Sequence, residues 1–312
     1  MTITVINQMG PAVAEAVRAL DGVETIDFEP GDPPDGLHAD VFFGGYAGWE
    51  APLRWIEAGG VRWVQLSGTG VDSVPPALYD GGRTVTCARG ASAVPISEWV
   101  MAAVLAWAKR FPDIFLHEPP KHWNFPAPAF EPVAGRTLAI LGMGGIGAAV
   151  AERALPFGMK VTAMRRTAAP SPVPGVEMVT TIEDLVADAD HLVLCAPATA
   201  RTRHLVDADV LARVKPGLHL VNIARGSLVD QDALRVALDD GRVAMATLDT
   251  VSPEPLPAGH WMYSHPQVRV AAHVSWYNPT MLGEAIAIFV DNLGRFVRGE
   301  SLLHVVDPAE GY

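Results

Sequence analysis

The sequence predicts an α/β protein of two Rossmann-like, flavodoxin-like domains, each a doubly wound parallel sheet, with the second inserted into the first. Three observations carry this expectation. Short apolar runs alternate with helical patterns through the first hundred residues, as strands and helices do in a parallel sheet covered on both faces. A Gly-x-Gly-x-x-Gly turn, Gly142 to Gly147, stands between an apolar run and a helical pattern. The same alternation then resumes and continues to a last amphipathic helix near the C-terminus.

In chain order, strands are expected at Ile3–Asn7, Val23–Phe28, Val41–Gly44, Trp63–Leu66 and Val85–Cys87, with helices at Ala12–Leu20 and Leu53–Glu57. Ser97–Arg110 is a strongly apolar helical pattern that ends on Lys109 and Arg110, cations suited to a helix C-terminus. Phe111 to Pro132 has no periodicity but carries Trp123, Phe125 and Phe130. Such aromatics suit a segment that covers apolar surface on a neighbouring domain or a second subunit.

From Gly135 onward, strands are expected at Thr137–Leu141, Lys160–Met164, His191–Cys195, His219–Ile223, Ala244–Leu248 and Val268–Ala271, the six of a Rossmann unit. Lys215-Pro216-Gly217 and Asp239-Asp240-Gly241 are the clearest breakers between them. A final helix, Thr280–Val297, follows Asn278-Pro279, and the tail Leu302–Val306 is expected to return to the first domain. The first domain then comprises residues 1–98 and 278–312, and the inserted one residues 99–277.

Each glycine of the turn has a physical purpose. Gly142 permits a tight turn, Gly144 lets backbone approach a pyrophosphate, and Gly147 lets the helix lie close to the strand. With Met143, Gly145 and Ile146 they form a loop whose following helix aims its free N–H groups and positive dipole end at phosphate. The inserted domain is therefore expected to bind a dinucleotide. Its second strand should end beside the adenosine ribose, where a carboxylate would select NAD. Here Lys160–Met164 runs into Arg165, Arg166 and Thr167, with no carboxylate nearby. Two guanidinium groups and a hydroxyl suit a phosphate dianion, which makes NADP(H) the preferred cofactor, with NAD(H) still admissible.

Composition narrows the partners. Asp and Glu total 35 against 23 Lys and Arg, and the net charge of −12 argues against nucleic acid or an anionic membrane. Cys87 and Cys195, the 2 cysteines, supply neither a disulfide framework nor a zinc set, so a reducing cytoplasm is expected and no metal. Met1–Asn7 reads as a strand and not as a signal peptide. The longest uncharged stretch, Thr137–Ala151, falls short of the roughly 18–20 apolar residues needed to span a bilayer. No lysine lies four residues after a tyrosine, which excludes the short-chain dehydrogenase pair, and two cysteines exclude a zinc alcohol dehydrogenase.

Three later segments place polar residues directly after apolar strands: Asn222-Ile223-Ala224-Arg225-Gly226-Ser227, Asp249 to Pro255, and His273-Val274-Ser275-Trp276. Strand carboxyl ends are where doubly wound sheets bind ligands, so Arg225, Glu254 and His273 have a route to one crevice. Singly, each also fits a plain role as a cap, a surface turn or a salt bridge. Together, downstream of the glycine turn, they point to catalysis.

On these residues the chain resembles the D-isomer-specific 2-hydroxyacid dehydrogenases. The resemblance runs from Ser67-Gly68-Thr69-Gly70-Val71-Asp72 to the histidine segment and is greatest to their glyoxylate/hydroxypyruvate reductase group. It implies reduction of a small 2-keto acid to the D-2-hydroxy acid, with hydride from NADPH. Arg225 would hold the carboxylate and polarise the keto oxygen, and His273 would give that oxygen a proton. Glu254 would orient the imidazole and keep it protonated. By the same resemblance, Asp249 would lie near the nicotinamide carboxamide, while Cys195, Ala196, Pro197, Ile223, Ala224 and Ser275 would line the cofactor.

The turn at Ser67, Gly68, Thr69 and Gly70 would offer N–H groups to the carboxylate, its two glycines suiting an anion nest. By the same resemblance, Tyr46, Trp49, Trp99 and Trp276 would lie near the substrate, though large aromatics equally suit core packing; as a pocket wall they would favour an unphosphorylated acid. Two departures stand out: Ala272 replaces the proline usual before the histidine, and arginines replace the NAD-selecting aspartate. The resemblance also implies a homodimer. The alternative function is a dinucleotide-sensing, co-repressor-like binding protein of the same fold with little turnover, which the three catalytic residues alone do not separate.

Overall fold

The computed structural model describes residues 2–45, 48–119, 123 and 130–312. The chain divides into two compact units, Met1–Ser92 with Tyr277–Tyr312, and Ala93–Trp276.

In the first unit, β1 (Ile3–Asn7) is buried throughout and pairs in parallel with β2 (Val23–Asp27) and β3 (Val41–Gly44), around the crossing helix α1 (Pro11–Val17). After α2 (Glu50–Gly59), the strands β4 (Trp63–Leu66) and β5 (Thr84–Thr86) complete the order β2-β1-β3-β4-β5. That is the flavodoxin-like arrangement. Every residue of β3 and β4 is buried, as a sheet covered on both faces requires. The C-terminal helix α8 (Met281–Arg298) covers one face, with Phe289 stacked on Phe43 at 4.3 Å between ring centroids. The fully buried Asn292 of α8 grips Leu303 through both its N–H and its C=O, and Val306 N–H then donates to Val85 O at 2.8 Å. The tail therefore returns to β5, as the sequence suggests.

The second unit opens with α3 (Ala93–Lys109), whose Ile96, Val100 and Val104 share a core with Val150, Ala151 and Ala154 of α4 (Gly145–Ala154). Because this apolar face belongs to one core, the units part at Ser92 and Ala93, ahead of the helix and not within it. Seven strands follow: β6 (Thr137–Leu141), β7 (Lys160–Met164), β8 (Val176–Val179), β9 (His191–Leu194), β10 (Leu218–Asn222), β11 (Val243–Leu248) and β12 (Val268–Val270). Helices α5 (Ile182–Ala187), α6 (Ala208–Leu211) and α7 (Gln231–Asp239) lie between them.

All pairs are parallel, in the order β12-β11-β10-β9-β6-β7-β8. This is the Rossmann order with a seventh strand beyond its sixth. The six strands expected from sequence omit β8. It is a short, partly exposed edge strand behind a proline-rich stretch, so it shows little hydrophobic signal.

One buried polar chain crosses this sheet. His191 Nδ1 and His219 Nδ1 lie 3.1 Å apart, and His219 Nε2 meets Thr247 Oγ1 at 2.9 Å beneath the ring of Trp107. Burial pushes His191 down to about 4, and His219 well below its usual range. Both rings are neutral in the folded chain, while the unfolded chain takes up protons below pH 6.5. Stability should therefore fall as pH falls from 6.5 towards 4, by about 2 kcal/mol at pH 5 from His191 alone. Urea denaturation at the two ends of that window checks this: the midpoint should drop less in His191→Gln than in the wild type, and equal drops would contradict it.

Candidate active site

The glycine turn leaves β6 at the point where strand order reverses, between β6 and β9. Gly142 takes φ 110°, and a Cβ there would lie 2.6 Å from Ala196 N, so only glycine lets the turn touch the Cys195–Pro197 loop. Cys195 N–H also donates to Leu141 O at 2.8 Å, which brings these two sequence-predicted segments side by side. Gly147 presses on the turn from the helix side, where a Cβ would sit 2.2 Å from Gly142 O. Gly144 differs. A Cβ there would meet nothing within 4 Å, and no side chain caps the N-terminus of α4. Open space before uncapped N–H groups is what an incoming phosphate needs.

Past the end of β7, Arg165 and Arg166 line a cavity of about 350 Å³ with Ala168, Pro170, Met178 and Thr180. Thr167, which follows the two arginines, is exposed. The strand missed by sequence, β8, thus supplies one wall of this cavity. No acidic side chain occurs from Arg165 to Gly175, so the donor set fits a phosphate-bearing ribose better than a free 2′-hydroxyl.

At the ends of β10, β11 and β12, three loops bring Arg225, Glu254 and His273 together. Asn222 bridges its own loop, donating to Arg225 O at 2.9 Å and accepting from Ala224 N at 3.1 Å, which holds Arg225 extended. Gly226 follows because the next loop lies against it: a Cβ would fall 1.9 Å from the Val251 carbonyl carbon. On that second loop, Glu254 accepts from Val251 N–H at 3.1 Å through Oε1 and meets His273 Nδ1 at 2.9 Å through Oε2. Burial alone would raise the Glu254 carboxyl. Hydrogen bonds from His273 and Val251, with the charges of His273 and Arg225, outweigh burial and hold it below its usual range.

His273 takes a left-handed φ of 55°, a conformation uncommon outside glycine. Four hydrogen bonds keep it there. Its N–H donates to Asp249 O at 2.9 Å, and its C=O accepts from Trp276 Nε1 at 2.8 Å. The next two N–H groups, of Val274 and Ser275, reach the Asp249 carboxylate at 2.8 and 3.1 Å.

Sequence reasoning places Asp249 beside the cofactor. In the structure it is 1% exposed, and both its oxygens hold the His273 turn. Trp276 serves the same turn and packs on the core of the unit. Trp99 also packs on that core, and Ile223 and Ala224 are buried beside the sheet end.

In the other unit, the turn after β4 ties back to its neighbours: Ser67 N–H donates to Gly44 O, Thr69 Oγ1 to Ala88 O, and Gly68 O accepts from Ala88 N–H. Neither Gly68 nor Gly70 takes a positive φ, so the alternation of hands that makes an anion nest is absent, contrary to expectation. Trp49 packs on the core of this unit, and Tyr46 lies outside the described residues.

Residues 101–275 match the family model described as the NAD binding domain of D-isomer specific 2-hydroxyacid dehydrogenase. The chain belongs to this family. The dehydrogenase is 29% identical to glyoxylate/hydroxypyruvate reductase A of Citrobacter koseri, over 95% of this chain and 94% of that one. It is 27% identical to the protein of the same name from Klebsiella pneumoniae, over 96% and 95%. Among solved structures, the D-isomer specific 2-hydroxyacid dehydrogenase of Xanthobacter autotrophicus Py2, determined with NADPH and MES, is 26% identical, with a TM-score of 0.84 over 100% of both chains. No helix among the described residues is long and apolar enough to cross a membrane.

Two glycine substitutions separate packing from ligand binding in this dehydrogenase. Gly226→Ala should lower stability by about 1–3 kcal/mol, because Val251 has to move. Gly144→Ala should leave the melting temperature nearly unchanged and weaken dinucleotide binding, measured by quenching of tryptophan fluorescence. Wild-type binding in Gly144→Ala would refute the assignment of that open space to phosphate.

Proposed function

We propose that this dehydrogenase reduces a small, unphosphorylated 2-keto acid of the glyoxylate or hydroxypyruvate kind, using NADPH. The observation that carries the proposal is the His273–Glu254 contact of 2.9 Å, with the Arg225 charge acting on the same carboxylate. Glu254 is ionised at neutral pH and accepts from Nδ1, so the imidazole presents its other nitrogen, Nε2, to the substrate. A protonated His273 gives the Nε2 proton to the 2-keto oxygen, and Glu254 balances the charge of the imidazolium. Arg225 binds the carboxylate and stabilises negative charge as it grows on that oxygen.

Bound NADPH would supply the hydride. The glycine turn and the α4 N-terminus would hold its pyrophosphate, and Arg165, Arg166 and Thr167 its ribose phosphate. On this reading Ala93–Trp276 is the nucleotide domain and the other unit the substrate domain. The reductase A names of the Citrobacter and Klebsiella relatives, and the NADPH in the Xanthobacter structure, support the same choice.

A cytoplasmic homodimer completes the proposal. Phe115, Leu116 and Trp123 are 56%, 61% and 77% exposed, an apolar surface that a second subunit would cover. Light scattering at micromolar concentration should give twice the chain mass, and a monomer would contradict it.

A panel of 2-keto acids tested with NADPH and NADH decides the rest. Glyoxylate and hydroxypyruvate should outperform 3-phosphohydroxypyruvate, and the opposite preference would overturn the unphosphorylated substrate. His273→Gln should lower kcat by about 10²–10⁴-fold. Arg165→Ala and Arg166→Ala should each cost about tenfold or more in NADPH affinity and leave NADH unaffected. Tight dinucleotide binding without turnover on any acid would favour a sensor.

A further inference from the structure

By its composition, the loop carrying Glu254 is poor in backbone hydrogen bonds. Within Ser252–Pro255, Pro253 and Pro255 have no N–H to give. The side chain of Gln231 makes up for this at one point. Its Nε2 donates to Ser252 O at 2.5 Å, and its Oε1 accepts from Ser252 N–H at 2.9 Å. An amide that meets both polar groups of one residue fixes its orientation as well as its position, as paired strands do.

Gln231 is itself firmly based. It opens α7, whose start is capped by Asp230 accepting from the N–H groups of Asp232 and Ala233 at 3.0 and 3.1 Å. The same helix buries Leu234, Ala237 and Leu238 in the core of the unit. A rigid helix end therefore grips the backbone at Ser252, and Glu254 follows two residues later.

We propose that Gln231 is a positioning residue, which by gripping Ser252 sets the Glu254 carboxylate against His273 Nδ1. Its kinetic consequence rests on the reductase reading, and its structural consequence does not. Arg225 keeps its own hold through Asn222 when the grip on Ser252 is lost, so the loss should impair proton transfer more than substrate binding.

Gln231→Met keeps the length of the side chain and removes both hydrogen bonds. Gln231→Glu keeps an acceptor for Ser252 N–H and removes the donor. On whichever 2-keto acid the wild type reduces, kcat should fall about 10–100-fold in Gln231→Met and less in Gln231→Glu. KM should stay within about twofold of wild type in both. In protein labelled with ¹⁵N-histidine, the His273 Nδ1 resonance, identified by its loss in His273→Gln, should shift in Gln231→Met and shift less in Gln231→Glu.

An unchanged kcat and an unchanged Nδ1 resonance in a folded Gln231→Met would overturn the proposal. So would equal losses through KM. Should Gln231→Met fail to fold, the same resonance in Gln231→Glu decides, and a wild-type position there counts against the grip. A wild type that reduces no 2-keto acid would defeat the reductase reading alone, and the resonance would still decide the role of Gln231.

Discussion

In the unit Ala93–Trp276 every strand runs the same way, so the loops after β6, β9, β10, β11 and β12 all leave from one edge of the sheet. That constraint gathers chemistry from distant parts of the sequence, and it also crowds the loops. Where two of them meet, no room remains for a side chain. Gly142 touches the Cys195–Ala196 backbone, Gly147 touches Gly142, and Gly226 touches Val251 and Ser252. Gly142 and Gly226 mark seams between neighbouring loops and Gly147 the seam between the turn and α4, and a methyl group at any of them would part the segments it joins. Gly144 stands outside this pattern because it faces open space, and the difference lets one motif be divided into packing and binding positions.

Three carboxylates in the same unit show how surroundings set a task. Asp190 precedes β9, at the opposite edge of the sheet, and joins Thr137 N–H, Arg136 and Lys215. Burial would raise its carboxyl, but these partners prevail and lower it, which suits a structural anchor. Asp249 spends its oxygens on two backbone N–H groups and so supports a strained turn. Glu254 has one oxygen on a backbone N–H and the other on an imidazole. Of the three, Glu254 alone is shown in contact with a histidine ring, the group able to exchange protons near neutral pH.

Much of this was legible in the amino-acid sequence. Ile3–Asn7, Val41–Gly44, Trp63–Leu66, Thr137–Leu141 and Lys160–Met164 form strands with the expected bounds, because short, mainly apolar runs between turn residues leave few alternatives. Strand β8 escaped because an edge strand needs less apolar surface. At the site, residue types and their place after strands were enough to bring out Arg225, Glu254 and His273. The supports were not visible in the same way. Gln231 and Asn222 act through amides on the backbone of other residues, and no spacing announces such a contact. The close approach behind Gly226 appears only once the β10 and β11 loops are adjacent in space.

The proposed ligands raise an electrostatic question, since a 2-keto acid and NADPH are anions and the chain carries a net charge of −12. Its overall field opposes them. At physiological ionic strength, however, a charge is screened beyond about 8 Å, so distant surface carboxylates count for little at a loop. Local groups decide the balance, and they are arranged with the proper sign. Uncapped N–H groups open α4 beside Gly144, two guanidinium groups line the cavity past β7, and Arg225 stands with His273 at the ends of β10 and β12. Glu254, on which the Arg225 charge acts, has one oxygen on His273 and the other on a backbone N–H. On the proposed reading, an acidic protein binds two anions because Asp249 and Glu254 are already engaged and its cations stand where the ligands' charges would fall.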